Sequence, residues 1–190
     1  MNAAELLKQY QIGKRSFHGV DLGGRRIIKK DLSQIDFSQA ILNEADFAGA
    51  NLERAVFDRA FLDLSNLSEA KLTQASFRAT CLKSALLYKA SLGQARLPKA
   101  NLSQAILKRA FLRESDLSQA KLLAADLSQA NLIDADLTGA DLTEANLAKA
   151  FLQGANLFQA CLDGVNLEQT MLTGATMPDG KVFEDKRASL

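Results

Sequence analysis

Few side chains in this chain are equipped for covalent or acid–base chemistry. There is one histidine, His18, and there are two cysteines, Cys81 and Cys161. No metal cluster and no Ser-His-Asp set can be assembled around a lone histidine. Two cysteines do not make a disulfide framework, and each reads as a substituted surface residue rather than a nucleophile. Gly23-Gly24 is not followed by a phosphate-loop pattern. Carboxylates are plentiful, but they recur on a strict schedule. Asp46, Asn51, Asn66, Asp126, Asp136, Asp141 and Asn146 each stand immediately before a Leu or Phe. A turn-forming duty repeated along the chain explains that schedule better than paired acid–base groups do. No catalytic residue, metal ligand or cofactor is expected, and the chain reads as non-enzymatic.

The elements that position these residues follow from a period of five. Every fifth residue from Leu32 to Met177 gives 30 positions, of which 25 are Leu, four are Phe and one is Met. Two places earlier in each unit, 23 of 30 residues are Ala. Lys30, Ile35, Ser65, Thr80, Ser115, Val165 and Thr170 are the exceptions. Ala, Leu, Gln and Glu are good helix formers, so propensity favours a helix. Geometry opposes it: at about 100° per residue, five residues overshoot one turn by about 140°, and the Leu residues scatter around the axis. A spacing of two puts Ala and Leu on the same side of an extended segment. The other positions are mostly polar and suit an outward turn. Such units wind into an all-β solenoid with a narrow core of alternating Ala and Leu.

Units such as Ala130-Asn131-Leu132-Ile133-Asp134 and Ala135-Asp136-Leu137-Thr138-Gly139 match an A-(D/N)-L-x-x pattern. The chain thereby resembles the pentapeptide-repeat family over residues 31–177, most closely its cyanobacterial members. That resemblance implies a right-handed quadrilateral β-helix with four units per coil, about 7–8 coils here. Residues 20 apart then stack. Phe17, Phe37, Phe57 and Phe77 fall in one column, a core aromatic stack. Cys81 and Cys161 lie four coils, or about 19 Å, apart, too far for a disulfide.

The ends depart from the repeat. Asn2 and Glu5 form a capping box, and Ala3, Leu6, Leu7 and Tyr10 follow helical spacing up to a stop at Gly13. Residues 3–12 are expected as a short capping helix, in an N-terminal cap spanning 1–16. Arg25 and Lys30 would face inward in strict register, so the first coil is expected to be irregular, open at its N-terminal edge or locally re-registered, and residues 17–30 are set apart as an irregular entry coil. Residues 31–177 form the body, and 178–190 a C-terminal turn and tail. Pro178-Asp179-Gly180 marks the turn, Val182 and Phe183 fold over the last coil, and Asp185 to Leu190 are loose. Met1 to Lys8 hold no apolar leader core, and no run is long enough to span a bilayer; a cytoplasmic setting without a membrane partner is expected.

The formal net charge of +1 conceals bands. Residues 31–69 carry eight acidic and two basic groups, 70–113 nine basic and none acidic, and 114–170 nine acidic and two basic. The basic waist is Lys71, Arg78, Lys83, Lys89, Arg96, Lys99, Lys108, Arg109 and Arg113. Within it, Leu86, Tyr88 and Lys89 fall one coil below Ile106, Lys108 and Arg109, with Lys83 nearby. This apolar patch with a basic edge reads as a protein-binding surface. Phe111, Ile133, Phe151 and Met171 are expected as a second, apolar stripe. The preferred function is therefore a rigid macromolecule-binding scaffold, as a monomer or as an end-to-end or side-by-side dimer. Its partner is expected to be another protein, with nucleic acid on the basic band as a further possibility. The resemblance adds an alternative, because some family members mimic DNA and act on type II topoisomerases such as gyrase. The +9 waist runs against the continuous negative surface that such mimicry requires.

Overall fold

The computed structural model describes residues 1–184. Helix α1 (Ala3–Gln11) leads into a solenoid whose coils repeat every 20 residues. From Ser16 to Asn156, every Asp/Asn-type position pairs in parallel with the residue 20 places on. Four five-residue units therefore make one coil, and each unit supplies one side. At about 4.8 Å between paired strands, the eight coil intervals from Ser16 to Thr176 span about 38 Å.

One unit shows how the backbone is used. In Ala45-Asp46-Phe47-Ala48-Gly49, the Ala45 N–H closes a turn on the Leu42 carbonyl at 3.0 Å. The Asp46 N–H reaches back to the Arg25 carbonyl at 2.8 Å. The N–H groups of Phe47 and Gly49 reach forward to the carbonyls of Asn66 and Ser68 at 2.7 and 2.8 Å. Four of five amides are thus consumed by the backbone itself. The fifth, on Ala48, points outward and donates to Asp46 Oδ1 at 3.1 Å. This Asx turn is the duty that keeps Asp or Asn in front of the large core residue. The last residue of each unit has a left-handed backbone, with φ between 52° and 60° in the body whenever it is not glycine. Its N–H bond to the next coil holds it there, as in Gln39 to the Asp58 carbonyl at 2.9 Å.

The core is dry and narrow. The inward Ala, Leu and Phe side chains are buried from Phe17 to Leu157. Phe17, Phe37, Phe57 and Phe77 stack with ring centroids 6.2, 5.7 and 4.8 Å apart along the column. They fill the interior of the rod. Hydroxyls at Ala positions are tolerated where they find a carbonyl. Thr80 Oγ1 donates to Phe57 O and Ser115 Oγ to Leu112 O, both at 2.7 Å. Ser65 Oγ is buried with no partner among the described residues.

The N-terminal end corrects the sequence reading in two respects. Asn2 does cap α1, accepting from the Glu5 N–H at 2.8 Å, but Glu5 accepts from Gln9 rather than completing a capping box. Residues 17–30 are not irregular: Phe17, Leu22 and Ile27 are buried in register, and Ser16, Asp21 and Arg26 all pair with the next coil. Arg25 and Lys30 occupy inner positions yet are exposed, because no coil precedes them and the ring is open at that edge. Leu6 of α1 is fully buried against it, and Tyr10 donates to the Ser33 carbonyl at 2.9 Å.

At the other end the last coil is only half-buried at Leu162, Val165, Leu167 and Leu172. After the turn at Pro178-Asp179-Gly180 the chain returns antiparallel, pairing Val182 with Thr176. Val182 and Phe183 run along the edge of the last coil, where the Phe183 N–H bonds the Ala175 carbonyl at 2.7 Å, and Val182 stays 59% exposed. Asp185 to Leu190, read as a loose tail, lie outside the described residues.

Two outcomes test this packing by thermal melting. Leu107→Ala should cost about 2–5 kcal/mol, and Ala130→Asp should cost more, because a charge has no partner in so narrow a core. Ser65→Ala should instead raise stability by about 1 kcal/mol, since it removes an unpaired buried hydroxyl.

Candidate functional site

The four sides differ in what they present outward. Side 1 shows Asp21, Ile41, Phe61, Cys81, Asn101, Lys121, Asp141 and Cys161 in one column. Side 2 shows Arg26, Asp46, Asn66, Leu86, Ile106, Asp126, Asn146 and Asn166. Side 3 shows Asp31, Asn51, Lys71, Ser91, Phe111, Asn131, Phe151 and Met171. Side 4 runs from Ser16 through Asp36, Val56, Ser76, Arg96, Asp116 and Asp136 to Thr176.

On side 2, Leu86 and Ile106 pair directly, and each is 39% exposed. Tyr88 and Lys89 follow Leu86, and Lys108 and Arg109 follow Ile106, joined by the bond from the Lys89 N–H to the Lys108 carbonyl at 3.1 Å. Lys89 Nζ lies 5.2 Å from the centre of the Tyr88 ring. The Arg109 guanidinium beside the Tyr88 hydroxyl, with the Lys89 charge adding, holds that phenol below its ordinary value. Arg109 Nε donates to Gln129 Oε1 at 2.8 Å. Among the described residues, no carboxylate pairs with Lys89, Lys108 or Arg109. Six of the seven candidate residues are therefore neighbours. Lys83 instead lines a shallow groove with Asn101, Ser103, Lys121 and Asp141.

The expected stripe on side 3 is interrupted. Phe111 and Phe151 are two coils apart with Asn131 between them, and Met171 adjoins Phe151. Ile133 lies two residues beyond Asn131 and is half-buried, beside the column rather than in it. Phe111 borders a notch of about 300 Å³ formed with Gly93, Gln94 and Arg113. Arg113 is the one waist cation held by carboxylates among the described residues, Glu114 at 3.1 Å and Asp134 at 3.4 Å.

Sequence reasoning missed an apolar pair on side 1. Ile41 and Phe61 are paired neighbours, 43% and 47% exposed, with Leu64 exposed as well. The signal was available, since both stand where the pattern has Asp or Asn and they are 20 residues apart. Cys81 is half-buried, and that burial, with nearby Asp63, pushes its thiol up despite Lys83. His18 is exposed, and no group of three or more metal-ligating side chains forms among the described residues. No helix among those residues is long and apolar enough to cross a membrane.

Comparison with known protein families accords with the five-residue period. The family model for pentapeptide repeats matches in overlapping segments, at 16–52, 31–68, 45–83, 85–123, 120–157 and 152–180. No curated protein sequence matches the chain. Among solved structures, it is 32% identical to HetL, a pentapeptide repeat protein involved in heterocyst differentiation regulation from the cyanobacterium Nostoc sp. strain PCC 7120. That match covers 96% of this chain and 100% of HetL, with a TM-score of 0.36. Rfr23, from the cyanobacterium Cyanothece 51142, is 22% identical over 95% of this chain and 99% of its own, with a TM-score of 0.34. QnrB1, a plasmid-mediated fluoroquinolone resistance protein, is 19% identical over 82% of this chain and 90% of its own, with a TM-score of 0.39. The matched repeats run through almost the whole solenoid, and the chain belongs to the pentapeptide-repeat family.

Proposed function

We propose that this protein is a non-enzymatic, rigid β-helical rod that presents side 2 to another protein. The observation that carries this reading is the exposed Leu86–Ile106 pair with Lys89, Lys108 and Arg109 around it, all without carboxylate partners among the described residues. Apolar centres with polar rims are the usual composition of protein interfaces. A rod suits the role, because its ladder fixes the spacing of those side chains before a partner arrives, and less ordering is left to occur on binding. In this reading the coil is right-handed and quadrilateral, the hand that parallel crossover connections adopt. Residues 1–16 cap the body and 178–184 finish it.

Nucleic acid fits the waist less well. Lys89, Lys108 and Arg109 belong to side 2, whereas Arg78, Arg96 and Lys99 belong to side 4, on the opposite side of the rod. A duplex lying along one side meets only part of the charge. Mimicry of DNA toward gyrase is weaker still, because the waist splits the acidic surface into two separate bands.

The test replaces Leu86, Ile106, Lys108 and Arg109 together by Ser and Gln. The variant should fold as the parent does by circular dichroism and melting. In affinity capture it should lose a protein that the parent retains. Equal recovery of every partner by the two proteins would contradict the assignment of this side.

A further inference from the structure

The patch on side 2 also interrupts a backbone pattern, and that interruption points to the chemistry of its partner. On this side Asp46, Asn66, Asp126, Asn146 and Asn166 each accept the outward N–H two residues on, from Ala48, Ser68, Ser128, Ala148 and Glu168, at 2.9–3.1 Å. Leu86 and Ile106 have no oxygen to offer. The N–H groups of Tyr88 and Lys108 accordingly have no acceptor among the described residues. Side 1 shows that a missing oxygen can be replaced from the neighbouring coil. There Phe61 and Cys81 also lack one, but Asn43 and Asp63 reach across to the N–H groups of Asp63 and Lys83 at 3.0 and 2.9 Å. On side 2 the equivalent neighbours are Ser68 and Tyr88, and neither bridges the gap.

Two adjacent outward donors, about one strand spacing apart, thus flank an apolar pair and are ringed by three cations without carboxylates. We propose that the partner docks here through an acidic segment in which an aliphatic side chain lies between carboxylates. The aliphatic group covers Leu86 and Ile106. The carboxylates accept from the Tyr88 and Lys108 N–H groups, as the rod's own Asp residues do on the neighbouring coils, and they neutralise Lys89, Lys108 and Arg109. Charge-assisted bonds to backbone N–H are the strong kind. A phosphate backbone would satisfy the donors but has no use for the apolar centre, which favours a protein segment. This proposal rests on side 2 being the docking surface, as proposed above.

The experiment is a titration of the full-length protein, followed by its amide NMR signals, with a blocked peptide built around Asp-Leu-Asp. Its Asn-Leu-Asn counterpart and a decathymidylate serve as comparisons. The Tyr88 and Lys108 amide protons should move downfield and saturate with the acidic peptide, and the neutral one should bind at least tenfold more weakly. The double variant Leu86→Asp, Ile106→Asp supplies the missing oxygens. It should melt no lower than the parent and leave the Tyr88 and Lys108 signals unmoved by the peptide. Equal binding of the neutral peptide would overturn the carboxylate claim while leaving the docking side intact. Tighter binding of the oligonucleotide at the same two amides would overturn it in favour of nucleic acid. No shift with any probe, or a variant that melts well below the parent, would overturn it as well.

Discussion

The structure depends on how five backbone amides per unit are satisfied in a coil too narrow to admit water. One closes the turn, one bonds to the coil behind and two bond to the coil ahead, as Ala45, Asp46, Phe47 and Gly49 show. That pattern closes only if each unit has five residues, so no residue is inserted from Leu32 to Met177. The same geometry sets the core. The short inner position accepts Ala or a small hydroxyl, and the long one accepts Leu or Phe. Burying an unpaired polar group there costs about 1–3 kcal/mol. Thr80, Ser115 and Thr170 behave accordingly, each bonding a carbonyl, whereas Ser65 carries that cost without a partner among the described residues.

The fifth amide faces outward, and there the rod has latitude. Asp or Asn in the second position meets that amide locally, as at Asp116 for Ser118 and Asn156 for Phe158. Where the second residue is something else, a neighbouring coil sometimes substitutes, as Asp58 does for Arg78 at 3.0 Å. An outward amide costs little when solvent reaches it, so surface residues can change without harm to the ladder. Side chains also link coils along the surface. Arg54, Gln74, Gln94 and Glu114 form a continuous run of bonds of 2.9–3.0 Å over four coils, ending on the carboxylate that Arg113 also holds. Individuality in such a rod therefore resides in the outward positions, and function does too.

Much of this is legible in the sequence, because periodicity encodes it directly. The five-residue register locates the core, and the stacking interval of 20 that the family resemblance implies places Leu86 beside Ile106 and Phe57 beside Phe77. What is not legible depends on contacts between coils or on the ends. For Arg25 and Lys30 the sequence leaves an irregular, an open and a re-registered first coil in play; the structure has the open one, with both side chains in solvent. Asn43 and Asp63 read as ordinary turn residues, and their reach to the next coil appears only in three dimensions. Lys83 is close to Leu86 in sequence, yet it joins the groove with Lys121. Asn131 interrupts the side 3 stripe because Ile133 belongs to a different column.

The central claim is that the second residue of each unit controls one outward amide, and that on side 2 this control lapses at Leu86 and Ile106. Amide hydrogen exchange of the unliganded protein measures it residue by residue. The N–H groups of Ala48, Ser68, Ser128 and Ala148 should exchange slowly, and those of Tyr88 and Lys108 faster by an order of magnitude or more. The adjoining amides of Leu87 and Leu107, held in the ladder at 2.8 Å, should be the slowest of this group. Equal protection of Tyr88 and Ser68 would contradict the account, because it would mean that the outward amide is satisfied without the Asp or Asn that the repeat supplies.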